Sequence, residues 1–180
     1  MIVSVSVCVI AQSTDLALMQ GGREALSFRK SGTGYAARSA SASVDIVREQ
    51  SGYKFNMAGA AYRVKQKDAS WKILTPQGQL LFKIKLKGDK IKVLRSEEDA
   101  NPWEIKLKGD HYKIVRSGAE YGKVAFDRSK NKLTVKDRTG GKIAVASSGG
   151  LTAAPAAVLI TGLTEQERLL LFALLCLVGR

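Results

Sequence analysis

Apolar and polar residues alternate along most of this chain, and where the alternation stops the chain turns apolar throughout. In LLFKIKLKGDKIKV (Leu80 to Val93), Phe82, Ile84 and Leu86 fall on one face, and Lys83, Lys85 and Lys87 on the other. Gly88-Asp89 marks a tight turn, after which Ile91 and Val93 resume the apolar face. Period two around such a turn predicts a half-buried β-hairpin. WEIKLKGDHYKIV (Trp103 to Val115) does the same, and YGKVAFD, NKLTVKD and GKIAVAS follow from Tyr121, Asn131 and Gly141. Turn chemistry separates them at Thr75-Pro76-Gln77-Gly78, Ser117-Gly118, Arg128-Ser129-Lys130-Asn131 and Thr139-Gly140-Gly141. Ile84-Lys85-Leu86-Lys87-Gly88-Asp89 recurs from Ile105, 21 residues later. Two copies of one hairpin among many short strands predict a meandering antiparallel sheet, a sandwich or a barrel.

The alternation ends near Ser147. Ala157 to Ile160 reads as a last buried strand, broken by Gly162. Thr164 with Glu167 three residues on is a capping box, and it opens a helix over 164–178. From Leu169 to Val178 that helix is apolar on every side. Ten such residues span about 15 Å, half of the roughly 30 Å hydrocarbon core of a bilayer. Extending the segment upstream brings in Glu165, Glu167 and Arg168. A helix apolar all round and too short to cross lipid belongs in a protein interior. A barrel formed by the preceding strands is the interior available.

The first fifty residues read differently. RKSGTGYAARSASASVD (Arg29 to Asp45) is rich in Ser, Ala and Gly without a clear period, which suggests a linker or loose arm. Gly32-Thr33-Gly34-Tyr35-Ala36-Ala37 matches the G-x-G-x-x-A form of the dinucleotide fingerprint. No βα unit follows it, so it carries no cofactor expectation. Met1 to Ile10 is apolar apart from two serines and lacks the basic start of a secretory signal. It reads as an N-terminal strand or a mis-assigned start, with a degenerate export or anchor signal as the alternative. The expected organisation is thus an arm or extra strand with a linker over 1–50, and a barrel with a central helix over 51–180.

The strand rhythm WKILTPQGQLLFKIKLKGDKIKV and the closing APAAVLITGLTEQERLLLFALLCLV together resemble the tubby-like C-terminal superfamily, which includes the LURP-one-related proteins and phospholipid scramblases. The resemblance covers roughly Tyr53 to Arg180. It implies a mainly β fold, a closed antiparallel barrel of about twelve short strands around a hydrophobic C-terminal α-helix. About eleven strand candidates are visible, leaving one to come from the first fifty residues. The resemblance also implies a phosphoinositide- or phospholipid-facing role, with no head-group residue matched position by position. The scramblases of the superfamily carry a longer apolar tail and a cysteine-rich stretch that this chain lacks.

Charge sharpens the picture. Among 180 residues, 29 Lys and Arg face 16 Asp and Glu, a net charge of +13 that draws the chain to polyanions. Lys83, Lys85, Lys87, Lys106 and Lys108 project from equivalent faces of the two echoing hairpins and are the candidate site for anionic lipid. Lysine on an exposed strand face also simply keeps a sheet soluble, which is the competing reading. Catalytic chemistry is not assembled. His111 is the single histidine and reads as a surface residue beside a turn. Glu97-Glu98-Asp99 reads as a solvated loop cluster, and Cys8 and Cys176 form no disulfide framework, which suits a reducing compartment. Trp71 and Trp103 begin strands and read as core. The expectation is a non-enzymatic module without cofactor or metal, cytoplasmic and peripheral on an anionic membrane. A nucleic-acid-binding barrel and a scramblase-like protein with an inserted helix are the alternatives.

Overall fold

The computed structural model describes residues 15–178. The expectation for Met1 to Ile10, and Cys8 with it, lies outside them. Fourteen strands follow one another: β1 (Leu16–Gln20), β2 (Arg23–Ser31), β3 (Gly34–Ser39), β4 (Ser43–Glu49), β5 (Gly52–Met57), β6 (Ala60–Lys67), β7 (Ser70–Leu74), β8 (Leu80–Lys87), β9 (Lys90–Leu94), β10 (Trp103–Lys108), β11 (His111–Arg116), β12 (Ala119–Asp127), β13 (Lys132–Asp137) and β14 (Lys142–Ser147). Each pairs antiparallel with its sequence neighbours, and β1 pairs with β14, so the sheet closes into a barrel. Closure removes every edge that lysines would otherwise need to guard. Alternation sets the wall: Phe82 and Ile84, Ile91 and Val93, Ile105, Ile114, Val124, Leu133 and Val135 are buried inside. Trp71 and Trp103 are buried with them, as their places at strand starts suggest.

Eight strands make a barrel that side chains alone fill. Fourteen leave a wider lumen, and the C-terminal segment occupies it. The strands meander, so their connections alternate between two rims. β14 ends at the rim that holds the β12–β13 loop, where the Ser148 amide donates to Asn131 O at 3.0 Å. The α-helix α1 (Glu165–Val178) begins at the other rim. There Glu165 accepts from Ser39 Oγ at 2.8 Å, and Arg95 donates to Glu167 at 2.8 Å. The chain therefore crosses the lumen twice, first as a 3₁₀ helix (Ala154–Val158) and then as α1 packed against it. Leu169 to Leu175 are all at most 1% exposed, so α1 is enclosed on every side. Its capping box forms as read: the Thr164 amide donates to Glu167 Oε2 at 2.8 Å, and the Glu167 amide to Thr164 Oγ1 at 3.2 Å.

Three expectations need correction. Arg29 to Asp45 is not a linker, because it spans the end of β2, all of β3 and the start of β4. α1 packs against β2, β3 and β4, and Ala37 and Val44 face inward there. Small residues read as linker in sequence, but here they leave room for the helix, and β2 and β4 supply the ladder partners of β3 on both sides. The boundary at residues 50–51 is likewise only the β4–β5 turn, so four strands precede it within the same barrel. Ala157 to Ile160 is not a strand. Inside a closed barrel no edge is free, so the backbone bonds to itself: Ala156 N to Ala153 O and Leu159 N to Ala156 O, each 2.9 Å.

Candidate functional site

The outer wall is the most strongly marked surface. Residues 51–142 hold 22 Lys and Arg against 10 Asp and Glu, so +12 of the net +13 lies on the segment from β5 to the start of β14. Residues 1–50 contribute +1, from 5 basic and 4 acidic side chains. The excess charge thus lies on the strands from β5 onward, with little on β1 to β4.

Register makes it a pattern. Lys87 on β8 lies opposite Lys90 on β9, which lies opposite Lys106 on β10. Lys106 lies opposite Lys113 on β11, and Lys113 opposite Lys123 on β12. Lys123 lies opposite Lys136 on β13, and Lys136 opposite Lys142 on β14, across a bulge after Val135. Seven neighbouring strands thus align one lysine each in a single row. Like charges directly opposite one another destabilise a sheet, and this row places lysine against lysine at each strand pair it crosses.

Elsewhere the same problem is solved with carboxylates. Lys72 lies opposite Lys83, and Glu97 from the β9–β10 loop bonds both. Those two lysines hold the Glu97 carboxyl down to about 2. Within the row, Lys106 meets Glu104 at 2.7 Å and Lys113 meets Glu120 at 2.8 Å. Among the described residues, Lys87, Lys90, Lys123, Lys136 and Lys142 form no ion pair.

The five lysines singled out from sequence all face outward from two adjacent hairpins, but they do not act alike. Lys87 and Lys106 belong to the row. Lys83 is the Glu97 partner, with a side chain only 13% exposed. Lys85 aligns with Lys92 and through it with Glu104, and Lys108 lies opposite His111. Sequence reading missed Lys90, Lys113, Lys123, Lys136 and Lys142. Each follows the same alternation, but the order of fourteen strands is needed to align them.

The remaining chemistry is sparse. His111 Nδ1 lies 3.0 Å from Asp110 Oδ1, which helps hold that exposed carboxyl below its ordinary range. Asp137 bonds the Thr139 hydroxyl and the Thr139 and Gly141 amides, a turn lock that lowers its carboxyl too. A cleft of about 300 Å³ lies between the β4–β5 and β6–β7 turns, lined by Arg48, Tyr53, Gln66 and Asp68 among others. Burial pushes the Tyr53 phenol up, opposed by the nearby Arg48. A second cleft of about 240 Å³ holds Lys92, Glu104 and Arg116, whose guanidinium covers the Trp103 ring and donates to Asn101 O at 3.1 Å. Neither cleft pairs a nucleophile with a base. Among the described residues no group of three or more His, Cys, Asp or Glu could hold a metal ion, and no helix is long and apolar enough to cross a membrane. The wall itself has lysine outside and apolar residues inside, the inverse of a transmembrane barrel. No family model, curated protein or solved structure matches this chain.

Proposed function

We propose that the barrel is a non-enzymatic binding module for anionic phospholipid or phosphoinositide head groups, working at a cytoplasmic membrane surface without inserting. The observation that carries the reading is the lysine wall, +12 on residues 51–142, with lysines placed opposite lysines. A surface that retains such repulsion has been shaped for an external anion rather than for its own stability. Each lysine near an anionic membrane contributes about 1 kcal/mol, screened by salt. The choice of lipid rests on the resemblance to tubby-like domains in strand rhythm and enclosed helix.

The nucleic-acid reading draws on the same charge, but stacking needs open aromatic faces: Trp71, Trp103, Phe82 and Tyr112 are buried inside the wall, and Tyr35, Tyr53, Tyr62, Tyr121 and Phe126 are partly buried against the core. The scramblase-like reading needs α1 in lipid, whereas α1 fills the lumen. Co-sedimentation with neutral and anionic vesicles, at low and high salt, tests the proposal. Binding to anionic vesicles alone, released by salt, is expected. Salt-resistant binding to neutral vesicles, or binding to DNA alone, overturns it.

A further inference from the structure

We infer that the row Lys87–Lys90–Lys106–Lys113–Lys123–Lys136–Lys142 is the face that lies against the membrane, and that its partner is a flat array of phosphate-bearing head groups. The inference rests on the lipid reading and adds the docking face to it. The row crosses six strand spacings, about 29 Å at roughly 4.8 Å each. It starts beside the β8–β9 turn at one rim and ends beside the β13–β14 turn at the other, so it slants across the full height of the wall.

Fourteen strands tilted by about 40° give a wall radius of about 14 Å, and the slanted row subtends about a quarter of the circumference. Over that arc the wall falls away from a touching plane by only about 4 Å at each end. A lysine stem is about 6 Å long and flexible, so all seven ammonium groups reach one plane. Lys54, Arg63 and Lys65, on β5 and β6, lie on the far side of the barrel and cannot share it. Among the described residues, five row lysines form no ion pair, although Lys123 still feels the nearby Asp110 carboxylate. Docking would relieve the repulsion along the row at once.

That repulsion supplies a test in which stability and binding move in opposite directions. In the paired variant Lys90→Glu with Lys123→Glu, each new carboxylate is flanked by two row lysines. Its melting midpoint should rise or hold, while binding to vesicles of phosphatidylcholine with phosphatidylserine should weaken by more than about tenfold. Lys90→Gln with Lys123→Gln should weaken binding in the same direction, by less. The control, Lys54→Glu with Lys65→Glu, changes net charge equally on the far side and should bind within about threefold of the unaltered protein. Equal loss in row and control variants overturns the row while leaving the lipid reading intact. No sedimentation of the unaltered protein overturns the lipid reading itself. Preferential binding of a single-stranded oligonucleotide, lost in the row variant, overturns the choice of partner.

Discussion

Glu97 shows how closely individual charges are matched on this wall. It bonds Lys72 and Lys83, a directly opposed pair, and its carboxyl titrates at about 2 instead of the ordinary 4.5. Because the folded value is lowered, its contribution to stability is complete above about 4.5 and is lost as pH falls through about 2. A carboxyl-detected NMR titration should place the midpoint near 2 and move it upward in Lys72→Gln. A midpoint at the ordinary value would dissolve the cluster. Gly122 shows a different constraint. A Cβ there would stand 2.2 Å from Lys136 O and 2.9 Å from Leu159 Cδ2, where β13 and the returning segment both press on β12. Gly122→Ala should cost at least about 1–3 kcal/mol in denaturant unfolding. A neutral effect would mean that the interior segment packs less tightly against β12. Neither residue announces itself in sequence. Glu97 reads as a solvated loop charge, and Gly122 as one glycine among several.

At the scale of elements, legibility depended on side-chain size. α1 could be read because Thr164 and Glu167 stand at the spacing of a capping box and every residue from Leu169 to Val178 is apolar. Strands β8 to β14 could be read because bulky apolar residues alternate with lysine. β3 could not: GYAARS has one bulky apolar side chain, and its place is fixed by partners on both sides and by the helix behind it. The 3₁₀ helix was equally hidden, since a short run of small apolar residues fits strand or helix until the closed barrel leaves it no edge. Two substitutions separate the contributions of cap and core. Thr164→Ala should cost about 1 kcal/mol, the usual loss of an N-cap. Phe172→Ala, at a site with no exposure, should cost about 3–5 kcal/mol. Thermal or denaturant unfolding measures both, and comparable costs would mean that α1 is not held in a packed lumen.

For the whole molecule, sequence reading reached the closed barrel and the enclosed helix; the resemblance implied about twelve strands, and the described residues form fourteen. The strand number bears on function, because it widens the lumen enough for α1 and the 3₁₀ helix to lie side by side. It also flattens the wall, so that seven lysines can face one plane. Apolar residues thereby go inside and charge goes outside, and the account requires both to persist when the protein binds. Hydrogen–deuterium exchange on the free and vesicle-bound protein tests that most directly. Amides from Leu169 to Leu177 should be among the slowest to exchange in the free protein and should stay so on anionic vesicles, with the barrel closed around them. Fast exchange of α1 in the free protein, or loss of its protection on vesicles, would contradict an intact barrel held at the surface by charge.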